Sequence, residues 1–327
     1  MRLIRKTKTL TAAAVVAIAS TLLATAALAQ AWPAKPVRIV VPFAAGGNTD
    51  QQARITADRL SVTLGQPFVV ENRVGAGGAI AAEFVARSLA DGYTLFFAAT
   101  PPISVVPLLQ KVGYDALKDF APVSIVGTNP FVLGITASIP AKTVKEFVDY
   151  VKLRPEQINY SSGGTGSIGH LSGALFAQRA GLKMTHIPYK GGGPAVADLV
   201  AGQVQMYFGN AAELIQHSKS GKITLLGVSS ERRFPQLPEL QPIAELFPGF
   251  RTITWNGYLA PAATPREIVD RLATEIAKAV REPATAARLV AIGVDPVGNT
   301  PAEFAELIRN DGALWRSAVQ AAGIKPE

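Results

Sequence analysis

One repeated order limits what this chain can fold into: a short apolar run, a glycine-rich turn, then an amphipathic stretch. Residues 37–41, 68–70 and 94–98 read as strands, and residues 51–64 and 79–89 as helices. Such a β-α-β-α-β rhythm implies a parallel sheet covered by helices. Residues 123–136 break it. Two apolar runs flank Thr128, Asn129 and Pro130 there, and the segment reads as a crossing into a second lobe. Beyond it the rhythm resumes, with helices over 144–153, 170–180, 195–200 and 212–218. The strands between them fall at 158–160, 184–187, 204–208 and 223–228. A proline-rich stretch, 232–250, leads to a returning strand at 252–259.

The remainder is helical. Thr143 with Glu146, Thr264 with Glu267, and Thr300 with Glu303 have the spacing of capping boxes. Pro265 and Pro301 fall at first helical positions, where a missing N–H costs nothing. Phe304, Ile308, Trp315 and Val319 share one face of the last helix, which reads as core.

The N-terminal segment stands apart from this pattern. Arg2, Arg5, Lys6 and Lys8 precede an uncharged stretch over 10–29 that ends in the small-x-small triplet Ala27-Leu28-Ala29. That order is a secretory signal peptide over 1–29, removed on export, and it implies a periplasmic location. An uncleaved anchor is the alternative, since about twenty uncharged residues just span a bilayer. The Ala and Thr content and the cleavage site favour removal. Four of the cations behind the formal charge of +8 leave with this segment. What stays is modest and argues against a nucleic-acid partner. With 48% hydrophobic and 17% charged residues, the chain is globular rather than disordered. At 327 residues it has room for two cores. It contains no cysteine, which excludes disulfides, thiolate catalysis, cysteine-bound metals and a lipoprotein anchor.

Four glycine clusters, at 42–50, 71–78, 160–170 and 188–194, each follow a strand and precede a helix. In parallel α/β sheets, ligands bind beyond the carboxyl ends of the strands. Glycine permits close backbone approach and positive φ. The first amides of a helix have no internal partner and attract anions. Ser161, Ser162, Thr165 and Ser167 add neutral donors, so a carboxylate can be held there without arginine. Any one such turn also serves tight packing. Four of them, two in each lobe, point to a shared cleft. Residues 164–169 match GxGxxG, but no acidic residue follows about twenty positions on, and no cofactor is expected.

Catalytic constellations are scarce. His170, His186 and His217 do not pair at metal-ligand spacing, and neither HExxH nor GxSxG occurs. His170 opens a helix, where it lines the cleft or caps and packs. His186 reads as a core strand residue and His217 as a helix-surface one. Asp50 lies just inside a helix start. It orients ligand, water or loop there, or only complements the dipole. Asn210 follows a strand and either faces the cleft or forms an ordinary turn. Trp255 reads as core before cleft. Neither a metal site nor a catalytic residue is assigned. A hydrolase would rest on Ser167 and His170, one helical turn apart with no acidic orienter.

The fragments combine into a resemblance. They begin with Trp32-Pro33, Lys35-Pro36, and Pro42-Phe43 with Gly46-Gly47 and Asp50. Asn72-Arg73 with Gly75 and Gly77-Gly78 follow, then Asp91 to Leu95. Tyr160 and Ser161 with Gly163 to Gly166, and Pro188 to Gly191, come next. Trp255, Gly257, Ala260-Pro261 and Thr264-Pro265 close the series. In this order and spacing the chain resembles the Bug-type solute receptors, the extracytoplasmic binding components of tripartite tricarboxylate transporters. The resemblance spans essentially the whole chain. It implies a two-lobed type II periplasmic-binding-protein fold of α/β class with a ligand cleft between the lobes. Lobe I would take 31–130 plus 251–327, and lobe II 131–250. The resemblance further implies a ligand carboxylate gripped near Ala45, Gly46, Gly47 and Asp50 of lobe I. In lobe II it points to Ser162, Gly164, Thr165, Gly166 and Ser167, with Asn210 at the distal end. It implies a binding protein, not an enzyme, expected to be a monomer that delivers ligand to membrane permease subunits. A receptor presenting ligand to a sensor kinase is the alternative. Pro101, Pro102, Ile103, Phe208 and Ala211 would make the distal pocket apolar, suited to an aromatic or dicarboxylic acid.

Overall fold

The computed structural model describes residues 32–325, so the expected signal peptide over 1–29 lies outside the described residues. Strand β1 (Val37–Val41) lies between β2 (Phe68–Asn72) and β3 (Thr94–Ala99) and is parallel to both. Side chains alternate across these strands. Val37, Ile39, Val41, Leu95 and Phe97 point into one core cluster, and Val40, Phe96 and Ala98 into another. Covered on both faces, such strands carry the near-continuous apolar runs seen in the sequence. Helices α1 (Asn48–Leu64) and α2 (Ala79–Ala86) follow β1 and β2.

Residues 120–136 form one strand, β4 (Phe120–Thr136), not two. Its first part pairs with β10 (Ile253–Pro261), which also pairs with β3. Its second part pairs with β7 (Met206–Asn210) and β8 (Ile223–Val228). The strand thus leaves one sheet and enters the other, as the flanking of 128–130 by apolar runs predicts. In the second sheet, β5 (Asn159–Ser162) lies parallel to both β6 (Thr185–Pro188) and β7. Two short strands, β9 (Gln241–Pro242) and β11 (Asp295–Pro296), pair with β8 and β4. Helices α4 (Val144–Lys152), α5 (Ile168–Ala180), α6 (Gly192–Val200) and α7 (Ala211–Lys219) cover this sheet.

Two elements join the halves. After β3, a tight turn leads into α3 (Val106–Leu109); Ile103 and Val106 enter a first-half cluster, whereas Val105 enters a second-half one. The C-terminal helices are α8 (Arg266–Arg281), α9 (Pro283–Ala291) and α10 (Pro301–Ala321). On α10, Phe304 and Ile308 pack in the first half, and Trp315, Ala318 and Val319 in the second. Among the described residues no helix is long and apolar enough to cross a membrane.

Only one of the three expected capping boxes closes. Thr300 and Glu303 make it fully, with Pro301 at the first helical position. Thr143 accepts from the Glu146 amide, but the Glu146 carboxylate turns to the Lys142 amide. The Thr264 hydroxyl is spent on the Pro261 carbonyl at 2.7 Å, so Pro265 becomes the cap of α8 and not its first residue.

Candidate functional site

The two sheets aim their carboxyl ends at each other. Ala99, ending β3, pairs with Asn256, which pairs with Gly127 of β4. Asn210, ending β7, pairs with Phe131 of the same strand. Residues 128–130 are therefore all of β4 that separates the two strand-end edges. The parallel strands β1, β2, β5 and β6 share these directions, so all four glycine clusters emerge at this junction.

In the loop after β1, Ala45, Gly46 and Gly47 are exposed and Asp50 is buried. Gly46 has φ +82, a left-handed backbone that explains glycine there. Its amide donates to Asp50 Oδ2 at 2.8 Å. Arg54 Nε donates to the same oxygen at 2.9 Å, and Asn72 Nδ2 to Oδ1 at 2.9 Å. Burial alone disfavours the Asp50 charge, but these donors outweigh it and hold its carboxyl below the ordinary range. Asp50 therefore organises the loop, and its oxygens are already engaged. Gly47 caps α1 without a side-chain hydrogen bond, which leaves first-turn amides for an anion.

The loop after β5 uses different groups. Gly166, at φ +77, donates its amide to His170 Nδ1 at 3.1 Å. That nitrogen accepts, so His170 is neutral. Burial, and then the neighbouring His186, push its pKa down to about 4. The two imidazoles stack at 3.6 Å with 7° between planes, and burial lowers His186 as well. Ser162 Oγ lies 2.6 Å from His186 Nε2 and accepts the Gly164 amide at 3.1 Å. Ser167 caps α5 by accepting from the His170 amide at 3.3 Å. Thr165 is exposed, and its hydroxyl makes no hydrogen bond among the described residues. A Cβ on Gly166 would lie 2.9 Å from Leu109 Cδ1, so this loop touches the connection that follows β3.

A cavity of about 190 Å³ opens between the halves. Asn48, at the start of α1, faces Asn210, Ala211, Ala212 and Glu213, at the start of α7. Asn129 and Pro130 of β4, with Ile292 and Gly293, complete the wall. Asn210 is exposed, and its side chain makes no capping bond. Asn48 is fixed by its bond to the Ile292 carbonyl at 2.8 Å and by Gln52 Nε2 at 2.7 Å. Gln52 also reaches Asn256 at 2.9 Å, and Asn129 reaches the Gly293 carbonyl at 2.8 Å. Of the residues expected at the site, Asn210 lines this cavity and Ala45, Gly46 and Gly47 immediately precede its wall. Ser162 and residues 164–167 sit beside it on the same edge without lining it. Phe208, Ile103 and Trp255 are core residues, whereas Ala211, also expected at the distal end, lines this cavity. Sequence reasoning missed Gln52, Asn129 and residues 292–293, because only pairing across the fold brings them together. Nothing local marks them.

A larger cavity, about 870 Å³, is lined by Lys35, Arg38, Tyr93 and Thr94. It lies at the amino ends of β1 and β3, the wrong edge for a ligand in a sheet of this kind.

The model of the tripartite tricarboxylate transporter family receptor matches residues 52–324. Several solved structures are similar over nearly their whole length. An R. palustris protein solved with adipate is 37% identical, with TM-score 0.75, over 90% of this chain and 100% of its own. The periplasmic binding protein BugD is 33% identical, with TM-score 0.71, over 90% and 100%. MatC of Rhodopseudomonas palustris, with bound malate, is 32% identical, with TM-score 0.70, over 88% and 100%. The fold is the two-lobed fold of these periplasmic binding proteins, and the chain belongs to the tripartite tricarboxylate transporter receptor family.

Proposed function

We propose that this protein is a periplasmic receptor that captures a small carboxylate between its lobes and delivers it to membrane permease subunits. The observation that carries this reading is the facing pair of helix starts, α1 and α7, across a small cavity rimmed by amides. Adipate and malate in two relatives support a carboxylate of similar size. Lobe I comprises 31–130 with 251–327, and lobe II 131–250, with α10 bracing both. Residues 1–29 direct export and are removed. The receptor works as a monomer.

The ligand carboxylate is met by Ala45 and the first-turn amides of α1, and by Thr165, the Ser167 hydroxyl and the start of α5, whereas the Gly47 amide is already given to the Ala44 carbonyl. Asn210 holds the distal end. Asp50, Ser162, Gly46, Gly164 and Gly166 shape the loops, because their polar groups already have partners. Charge-assisted hydrogen bonds contribute about 1.5–3 kcal/mol each. Three or four of them reach the ~8 kcal/mol of micromolar binding before ordering costs.

Binding, not catalysis, fits the polar groups here. Ser167 Oγ accepts from the His170 backbone, and His170 Nδ1 faces Gly166, so the two side chains do not form a nucleophile and base. Ser162 does contact His186, but it is fully buried and out of a substrate's reach.

A thermal-shift screen against dicarboxylates of four to six carbons and aromatic acids tests the reading. A ligand at a hundred times its Kd should add about 2.7 kcal/mol of stability. No shift with any of them, using protein freed of carried-over ligand by refolding, would refute it.

A further inference from the structure

Glycine inside a helix is disfavoured relative to alanine, so an interior helix glycine calls for a reason. On α5 the reason is visible. A Cβ on Gly169 would lie 2.7 Å from the Phe208 carbonyl, and one on Gly173 would lie 2.6 Å from the Tyr160 ring. Gly312, in the middle of α10, differs: a Cβ there would meet nothing within 4 Å. No group among the described residues requires that glycine.

Gly312 lines an open groove of about 620 Å³ between α10 and the segment that follows β3. Ile103, Leu108, Val112 and Ile308 give the groove an apolar floor. Ile308 and Ile103 belong to the lobe I core, while Leu108 packs on the lobe II core, so the floor spans both lobes. Lys111, Arg309 and Arg316 stand around it, and none makes an ion pair among the described residues. The acidic group present, Asp115, is already paired with Lys118 at 3.0 Å and accepts from the Leu117 amide. Ser104 also lines the groove, and its buried hydroxyl has no hydrogen-bond partner. A flat apolar floor, three unpaired cations and an unpartnered hydroxyl together describe a surface built for an anionic, apolar-faced occupant.

We infer that this groove docks an acidic segment of the transporter's membrane subunits. The inference rests on the receptor reading above. Arg309 and Arg316 are two helical turns apart, about 10 Å at 1.5 Å per residue, so the segment carries carboxylates at that spacing. The floor is drawn from both lobes, so docking depends on how the lobes sit relative to each other.

The chain has no cysteine, so Gly312→Cys supplies a single thiol for a benzophenone photo-crosslinker. The probe is membrane vesicles carrying the purified membrane subunits of the transporter. The control is Leu153→Cys, at an exposed position outside the groove. The expected result is an adduct with a membrane subunit at least tenfold stronger from 312 than from 153. It should fall at least tenfold with R309E/R316E, and also with K111E, which leaves α10 untouched. Equal adducts from both positions, indifference to charge reversal, or a cross-linked dimer of the receptor would each overturn the inference. No adduct from Gly312→Cys in the otherwise unchanged protein, with the carboxylate thermal shift intact, rejects the docking site alone. Absence of both that adduct and the shift rejects the receptor reading too.

Discussion

In the loop after β1, the Gly46 amide is held by a carboxylate four residues on; in the loop after β5, the Gly166 amide is held by an imidazole at the same spacing. Each arrangement pins a left-handed glycine to a side chain in the first turn of the helix that follows. The chemistry differs. Asp50 is charged and neutralised by Arg54 at 2.9 Å. His170 is neutral and backed by a stacked His186, which itself contacts Ser162. The proposed anion site tolerates the first because its charge is matched, and the second because it adds none. The two lobes should therefore respond differently to substitution and to pH.

The sharpest break should come at Asp50. Asp50→Ala removes a buried acceptor of three donors and should cost about 3 kcal/mol in urea denaturation. Asp50→Asn keeps one acceptor oxygen and should fall between. Wild-type stability in Asp50→Ala would mean that the loop holds itself.

Acid should act on the other loop first. His170 has a pKa of about 4 in the folded protein, below its ordinary value of 6.5. Between those values the unfolded chain binds the proton and the folded one does not, so stability falls as pH drops. The loss should reach roughly 2–3 kcal/mol by pH 4, with little change above pH 6.5. His186 adds to it in the same direction. Asp50, whose carboxyl is held below its ordinary value of 3.8, contributes stability that is lost only at still lower pH. His170→Phe should flatten the slope between pH 6.5 and 4; an unchanged slope would assign the loss elsewhere.

Smaller effects sharpen the picture. Ser162→Ala strips the acceptor from the Gly164 amide and should cost about 1–2 kcal/mol in the same denaturation series. Thr165→Ala should leave stability unchanged and weaken carboxylate binding by roughly tenfold or more by calorimetry, the loss of one charge-assisted hydrogen bond. Unchanged affinity would remove Thr165 from the ligand.

Much of this was legible in the chain itself. The alternation of the apolar runs 37–41, 68–70 and 94–98 with helical stretches announced a parallel sheet covered by helices. The two runs around Thr128, Asn129 and Pro130 announced the crossing. Asp50 and the glycines stood out locally, because a tight turn and a helix start leave local marks. The rest depends on distant pairing. Ser162 meets His186 only because β5 and β6 lie side by side in parallel register. Asn48 meets Ile292 across most of the chain's length. The periodicity of Phe304, Ile308, Trp315 and Val319 marked one buried face but not that it changes lobes midway. Thr264 shows the opposite failure: its spacing to Glu267 was right, yet a nearer carbonyl took the hydroxyl.

The most direct test of the central claim is amide hydrogen exchange with and without a saturating carboxylate from the thermal-shift screen. If both lobes grip one ligand, the amides of residues 45–49 and of 165–169 should both gain protection. Protection confined to one loop, or absent from both, would contradict a shared site.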